Sequence, residues 1–278
     1  MLFSANLLQA SVSFKTLNPA ETTIDITQTL ALQGGLLIGK TDVGNKVWLD
    51  NKKVRVAADG TFILGFGRDV STAELIIEGL DDEKQIVSIK VQPRQYKIER
   101  VDGLPPTKVN PKGEAVLKRI REEAAQVKNV RTRDDDRQDF KGGFIWPAKG
   151  RVSGVYGSQR ILNGEPKSPH MGLDIAAPTG STVVAPAPGV VTWVHSDMYY
   201  SGGTIIIDHG HGLSSTFLHL SEILVKSGQS VEQGSLVGRI GATGRATGPH
   251  LDWRINWFNI RLDPERLVDD LMVKEETK

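Results

Sequence analysis

The sequence predicts a mainly β protein in three parts. These are an N-terminal Ig-like β-sandwich over residues 1–102, a Pro-rich and helical linker over 103–140, and an antiparallel β domain over 141–278. Three observations predict it. Short β-branched and aromatic runs fill the chain up to about residue 100, helical period sets in just after residue 110, and all six histidines crowd into the last part. At 278 residues the chain has room for two domains of about 150 residues each.

In the first part, "SVSFKT", "TTIDIT", "KVWLD", "KKVRVAA", "TFILGF", "AELIIEG" and "KQIVSIKV" read as strands, separated by the turn signals "DVGN", "ADG" and "LDDE". Strands of this length and spacing suit a small sandwich. The segment has no histidine and no cluster of reactive side chains, so it reads as a positioning or binding module.

The linker opens with "GLPPTKVNP", where Asn110 can cap a helix and Pro111 can take its first position. In the run that follows, Leu117, Ile120, Ala124 and Val127 fall on one helical face, and the rest is densely charged. The mixed run "RTRDDDRQD" reads as a solvated helix end. From Phe144 the strands return: "GRVSGVYG", "STVVAPAPGVVTWVHS", "GGTIIIDHG", "SSTFLHLS", "SLVGRIG" and "HLDWRINWF". Helical period is seen again only in "PERLVDDLM".

Composition narrows the function classes. A hydrophobic content of 39% and a charged content of 24% fit a globular protein, and a net charge of +1 lacks the basic surplus of a nucleic-acid binder. With no cysteine, a metal must be held by His, Asp or Glu. No apolar run approaches the roughly 20 residues of a membrane helix. The start, "MLFSANLLQASVSFK", has no basic residue before Lys15 and is no convincing signal peptide, so an export signal would lie outside this sequence.

Four stretches carry the chemistry. In "SPHMGLDIAAP", His170 and Asp174 are separated by three residues at the start of a strand; taken alone, such a pair is also what a surface His near a turn Asp gives. In "PHLDWRINWF", Leu251, Trp253, Ile255 and Trp257 alternate with His250, Asp252, Arg254 and Asn256. The first set is a core face. The second is a polar row in need of water, partners or a metal, with His250 and Asp252 about 7 Å apart at their Cα atoms. "SSTFLHLSE" places His219 on a strand among apolar neighbours, where a hydrogen-bonded core histidine is the bland alternative. "IDHGHG" adds His209, a candidate for orienting a ligand, and His211, expected to be exposed.

Taken in order, "FIWPAKGRVS", "GVYGSQR", "HMGLDIAAPTGSTVVAPAPGVV", "IIIDHGHGLSSTFLHLS" and "VKSGQSVEQGSLVGRIGATGRATGPHL" resemble the lysostaphin-type zinc endopeptidases that cut the peptide part of bacterial peptidoglycan. The resemblance runs from about Phe144 to Leu267, with the sandwich and linker helix less securely similar to those of longer Gram-negative members. It implies a lysostaphin-type β domain, one Zn2+ held by His170, Asp174 and the residue at 252, and His219 and His250 as catalytic histidines. It also implies a periplasmic or cell-envelope location, with peptidoglycan peptides as substrate and other cell-envelope proteins as further partners. "GSQRILNGEP" and "HSDMYYSGG" would wall the groove, with Arg160, Tyr199 and Tyr200 as substrate contacts or as packing residues of the loops.

This chain departs from the family at one position: Asp252 stands where the third ligand is histidine. Aspartate is itself a zinc ligand, and its Oδ stands as many bonds from Cα as a His Nδ1. A second carboxylate would neutralise the ion and weaken it as a Lewis acid. Arg254, two residues on, could orient Asp252 for the metal or simply pair with it in an empty cleft. The competing expectation is therefore a catalytically silent relative that binds peptidoglycan or activates another hydrolase. A biotinyl-like carrier domain and a serine triad through Ser214 or Ser215 explain less, because neither uses His170, Asp174, His219 and His250 together.

Overall fold

Alternating apolar and polar residues build two sheets in the N-terminal part. The computed structural model describes residues 13–16, 24–25, 31–80 and 82–268. One sheet runs in the order Ile24–Asp25, Ser13–Thr16, Leu36–Lys40, Thr61–Gly65; the other runs Ala31–Leu32, Lys84–Gln92, Thr72–Glu78, Lys46–Leu49, Lys52–Val54. In Thr72–Glu78 the period of two is clean, with Ala73, Leu75 and Ile77 buried and Thr72 and Glu74 exposed. Leu36–Lys40 was not foreseen, because its apolar run "LLIGK" lacks that alternation; it pairs on both sides and is mostly buried.

The linker differs from its prediction in three ways. Asn110 does not cap the long helix but ends a short one, Pro106–Val109, that begins on proline. The long helix, Glu114–Val130, starts after Gly113. Its inner side is also rotated, so that Leu117 and Ala124 are exposed while Val116, Ile120, Glu123 and Val127 face the protein. The reason is polar: the buried Glu123 carboxylate accepts from Arg119 Nε at 2.7 Å and from the Tyr199 amide at 2.9 Å, and this docks the helix on the C-terminal part.

The third difference lies in "RTRDDDRQD", which is no solvated end. Arg131 is 7% exposed, Arg55 binds Asp134, and Arg137 pairs with Asp135, Asp139 and the buried Asp208. The "PERLVDDLM" helix is a single 3-10 turn, Pro264–Leu267, after which Val268 bridges to Phe144, and the run beyond Val268 lies outside the described residues.

The C-terminal part is built on a ten-stranded sheet, while Gln159–Leu162 and Glu165–Pro166 form a separate three-stranded sheet with Ile98–Val101. The main path of the larger sheet is Arg151–Gly154, Leu173–Ala176, His250–Trp257, Leu213–Ile223, Gly202–Asp208, Gly189–Met198, Ser230–Val231. Leu251, Trp253, Ile255 and Trp257 are at most 1% exposed and pack with Leu173, Ile175, Ile207 and Phe217. Each such side chain contributes about 1.5–3 kcal/mol over its exposed state. The core does not stop at the linker but continues into the N-terminal sheets. Gly65 lies against Trp257, where an added Cβ would come within 2.9 Å of the tryptophan's own, and Arg94 pairs with Asp263 at 2.6 Å. With its core side filled, the sheet turns the His250–Asp252–Arg254–Asn256 row to the opposite face.

Candidate metal centre and cleft

Strand register assembles the site. Asp174 and Asp252 are direct cross-strand partners on adjacent antiparallel strands, and His170 enters from the loop just before Leu173–Ala176. One ligand atom from each of the three lies within 4.8 Å of the others. Two carboxylates directly opposite each other repel, so the pairing calls for a cation between them. Glycine makes room for both. A Cβ on Gly154 would stand 2.4 Å from Asp174 Oδ2, and one on Gly172 would stand 2.4 Å from Asp252 Oδ1.

The donor set fits zinc. His170 Nε2 and Asp174 Oδ1 are buried, 3.1 Å apart, and neither has a hydrogen-bond partner. Two ligands of a tetrahedral zinc with bonds of about 2.0–2.1 Å would stand about 3.3 Å apart. Orphaned buried atoms at that separation are what a metal would satisfy.

A guanidinium backs each carboxylate. Arg254 grips Asp252 with Nε to Oδ1 at 2.9 Å and Nη2 to Oδ2 at 2.6 Å, and Arg160 Nη2 donates to Asp174 Oδ2 at 2.6 Å. Burial opposes the charge on Asp252, but Arg254 and then His170 hold it well below the ordinary carboxylate range. At Asp174 burial is likewise outweighed, by His170 first and Arg160 after it. The two readings of Asp252 are therefore not exclusive, since it pairs with Arg254 and still lies with His170 and Asp174. Arg254 and Arg160 place two positive charges beside the two carboxylates.

His219 and His250 lie side by side, with ring centroids 4.7 Å apart. His219 Nδ1 meets the Thr243 carbonyl at 2.7 Å and His250 Nδ1 meets the Gly248 carbonyl at 2.9 Å. A carbonyl only accepts, so each Nδ1 carries the proton and each Nε2 is left as a base. Burial pushes His219 down to about 4, which keeps it neutral at pH 7. Strict alternation would have put His219 on the core face with Phe217. The chain instead takes a left-handed turn at His219, φ 65°, so that Leu218 and His219 together oppose one residue of the neighbouring strand. This bulge swings His219 to the cluster, and its amide is held by the Ser201 carbonyl at 2.8 Å.

Above the cluster is a cleft of about 270 Å³, lined by Asp174, His219, His250, Arg160 and Arg245 and walled on the linker side by Glu99 and Leu104. The walls from Glu99, Leu104 and Arg245 escaped the sequence reading. Only Arg245 had a signal, as an arginine in the Gly/Thr-rich loop before His250. Tyr199 and Tyr200 do not line this cleft. Tyr199 gives its hydroxyl to the Thr107 carbonyl and lies under Lys108, and Tyr200 lies under Arg245. His209 takes no part: Nδ1 binds the Pro188 carbonyl and Nε2 binds Ser215 Oγ. His211, expected on the surface, is 1% exposed and packs edge-on to Phe140.

The fold and the cluster define a β-sheet domain with a candidate metal centre. Residues 168–264 match the model of Peptidase family M23, and the domain is of that family. The peptidoglycan DD-endopeptidase ShyA of Vibrio cholerae is 38% identical over 109 residues, 39% of this chain and 25% of that protein. ShyC of the same organism is 36% identical over 116 residues, 41% of this chain and 26% of that one. The matches thus span only about a quarter of these relatives' length. A solved structure described as a putative peptidase M23 from Pseudomonas aeruginosa is 27% identical, with a TM-score of 0.66, over 87% of this chain and 96% of that one. That likeness reaches beyond the peptidase domain into the N-terminal sheets.

Proposed function

We propose that the protein is a zinc-dependent endopeptidase that hydrolyses peptide cross-links of bacterial peptidoglycan in the periplasm or cell envelope. The observation that carries this is the convergence of His170, Asp174 and Asp252 beside paired histidines, with Asp174, His219 and His250 lining one cleft. The relatives named peptidoglycan DD-endopeptidases support the substrate class. Zinc held by His170, Asp174 and Asp252 would supply Lewis-acid polarisation of the scissile carbonyl and lower the pKa of water at the site. Arg254 and Arg160 fix the two carboxylates and hold them ionised. His219 and His250 present Nε2 as proton acceptors; whichever takes the proton becomes a donor for the leaving amine. The N-terminal sheets and linker position this domain, with Glu99 from the strand Ile98–Val101 and Leu104 from the linker lining the cleft.

The test is zinc stoichiometry on the purified protein together with digestion of cross-linked muropeptides. One zinc per chain with cleavage is expected. A protein that binds no zinc and cuts nothing would be a silent relative, with Asp252 serving only Arg254.

A further inference from the structure

The polar row of His250–Trp257 continues past Asp252 into a region rich in positive charge. Arg254 is opposite Thr216 on the neighbouring strand, and Arg131 reaches in from the end of the linker helix to donate Nη2 to Thr216 Oγ1 at 3.1 Å. Asn256, two residues beyond Arg254 on the same face, is opposite Ser214 on one side and Arg261 on the other. Arg261 Nη1 donates to Asn256 Oδ1 at 2.8 Å, which fixes the orientation of that amide. Three guanidiniums therefore share one patch of sheet. Only Arg254 has a carboxylate, Asp252; among the described residues Arg131 and Arg261 have neutral acceptors alone.

The hydrogen bonds left over can all be donated. Arg131 Nε, Asn256 Nδ2 and Ser214 Oγ are all buried and without a partner, and all three can donate. Arg131 and Ser214 are at most 7% exposed and Asn256 is fully buried, while the Arg254 side chain keeps 26% of its surface. Burial, and then the neighbouring arginines, push Arg131 well below its ordinary value, and burial followed by Arg254 pushes Arg261 to about 9. Arg261 at about 9 stays a cation at neutral pH, and a guanidinium keeps its proton in proteins, so proton loss does not relieve the patch. Water could take up the donors but not the charge, and an uncompensated buried charge is costly.

We propose that the face formed by Arg131, Arg254, Arg261, Ser214 and Asn256 is a binding site for a small oxyanion, a carboxylate or a phosphate group. The ion would accept from the orphaned donors and neutralise the two arginines that lack a carboxylate. Its binding would tie the linker helix, through Arg131, to the sheet that carries the cluster. The site is independent of the peptidase reading.

Inorganic phosphate and acetate serve as probes, titrated calorimetrically into the full chain in a bulky sulfonate buffer at constant ionic strength. Metal-loaded and EDTA-treated protein are compared, because an anion held by zinc would be lost on chelation. Saturable binding is expected in both forms. Acetate competing with phosphate marks a carboxylate site, and acetate without effect marks a tetrahedral one. Arg131→Met and Arg261→Met should each weaken binding about tenfold or more, the loss of one charge-assisted donor. If Arg131→Met does not fold, Arg261→Met and phosphorus line broadening on the unaltered protein carry the test. Absence of saturable binding, loss of binding on chelation, or unchanged affinity in the arginine variants would overturn the proposal.

Discussion

Asp252 concentrates the chemistry of this protein in one side chain. It is 1% exposed, opposes Asp174 across the sheet, and gives both oxygens to Arg254 while staying with His170. Removing it should therefore do two things. Asp252→Ala is expected to lose most of the bound zinc and the muropeptide cleavage with it, and to leave Arg254 buried without its carboxylate. Asp252→His should keep zinc if the imidazole fits, at the cost of that same pair. Zinc content and cleavage measured side by side check this, and full zinc with full activity in Asp252→Ala would remove Asp252 from the ligand set. His219→Ala should separate the two readouts. Zinc is expected to stay, and the rate to fall about 10²–10⁴-fold, the usual contribution of a general acid or base. His170→Ala should lose zinc and rate together.

At the scale of elements, the cluster depends on strands that come close only because glycine stands behind each carboxylate. Gly154 leaves no room for a Cβ beside Asp174 Oδ2, nor Gly172 beside Asp252 Oδ1, the Trp253 carbonyl and the Arg254 stem. Gly154→Ala and Gly172→Ala should each cost about 1–3 kcal/mol through overpacking, and should weaken zinc binding by displacing a ligand. Gly142→Ala is the control, because nothing lies within 4 Å of its added Cβ; there the change should stay within about 0.5 kcal/mol. Denaturant midpoints and zinc titrations of the three variants test the point. The helix Glu114–Val130 shows the same dependence on a single contact, since its orientation follows Glu123 more than its apolar stripe.

Across the whole molecule, one continuous core joins the N-terminal sheets to the C-terminal domain, and the buried His209 and His211 pack on its Phe144 and Phe140. Burial pushes His209 and His211 down to about 4 from an ordinary 6.5. The unfolded chain takes up protons near pH 6.5 and the folded chain does so only near pH 4, so acid favours unfolding. Stability should be level above about pH 6.5 and fall as pH drops toward 4, by up to about 1.4 kcal/mol per pH unit for each histidine. Urea midpoints at pH 7.5 and pH 5 measure the loss, and His209→Gln should reduce the slope. A stability that rose on acidification across this window would contradict it.

The sequence by itself determined the β class, the inward row Leu251, Trp253, Ile255 and Trp257, and the polar row opposite, because period-two alternation is local to one strand. It also carried the ligand-capable residues, whose types and spacing can be seen without a fold. Only the tertiary structure decided which faces and partners they meet. His219 joins His250 through a bulge that reverses its side of the sheet, and no alternation rule reports an inserted residue. Asp174 opposes Asp252 because two strands distant in sequence pair in one register. Arg131, in a charge run that read as solvated, is buried beside Thr216 because the linker helix is docked by Glu123 and Tyr199. These are non-local choices. They depend on register, burial and charge between segments far apart in the chain, so they exist only once the chain has closed on itself.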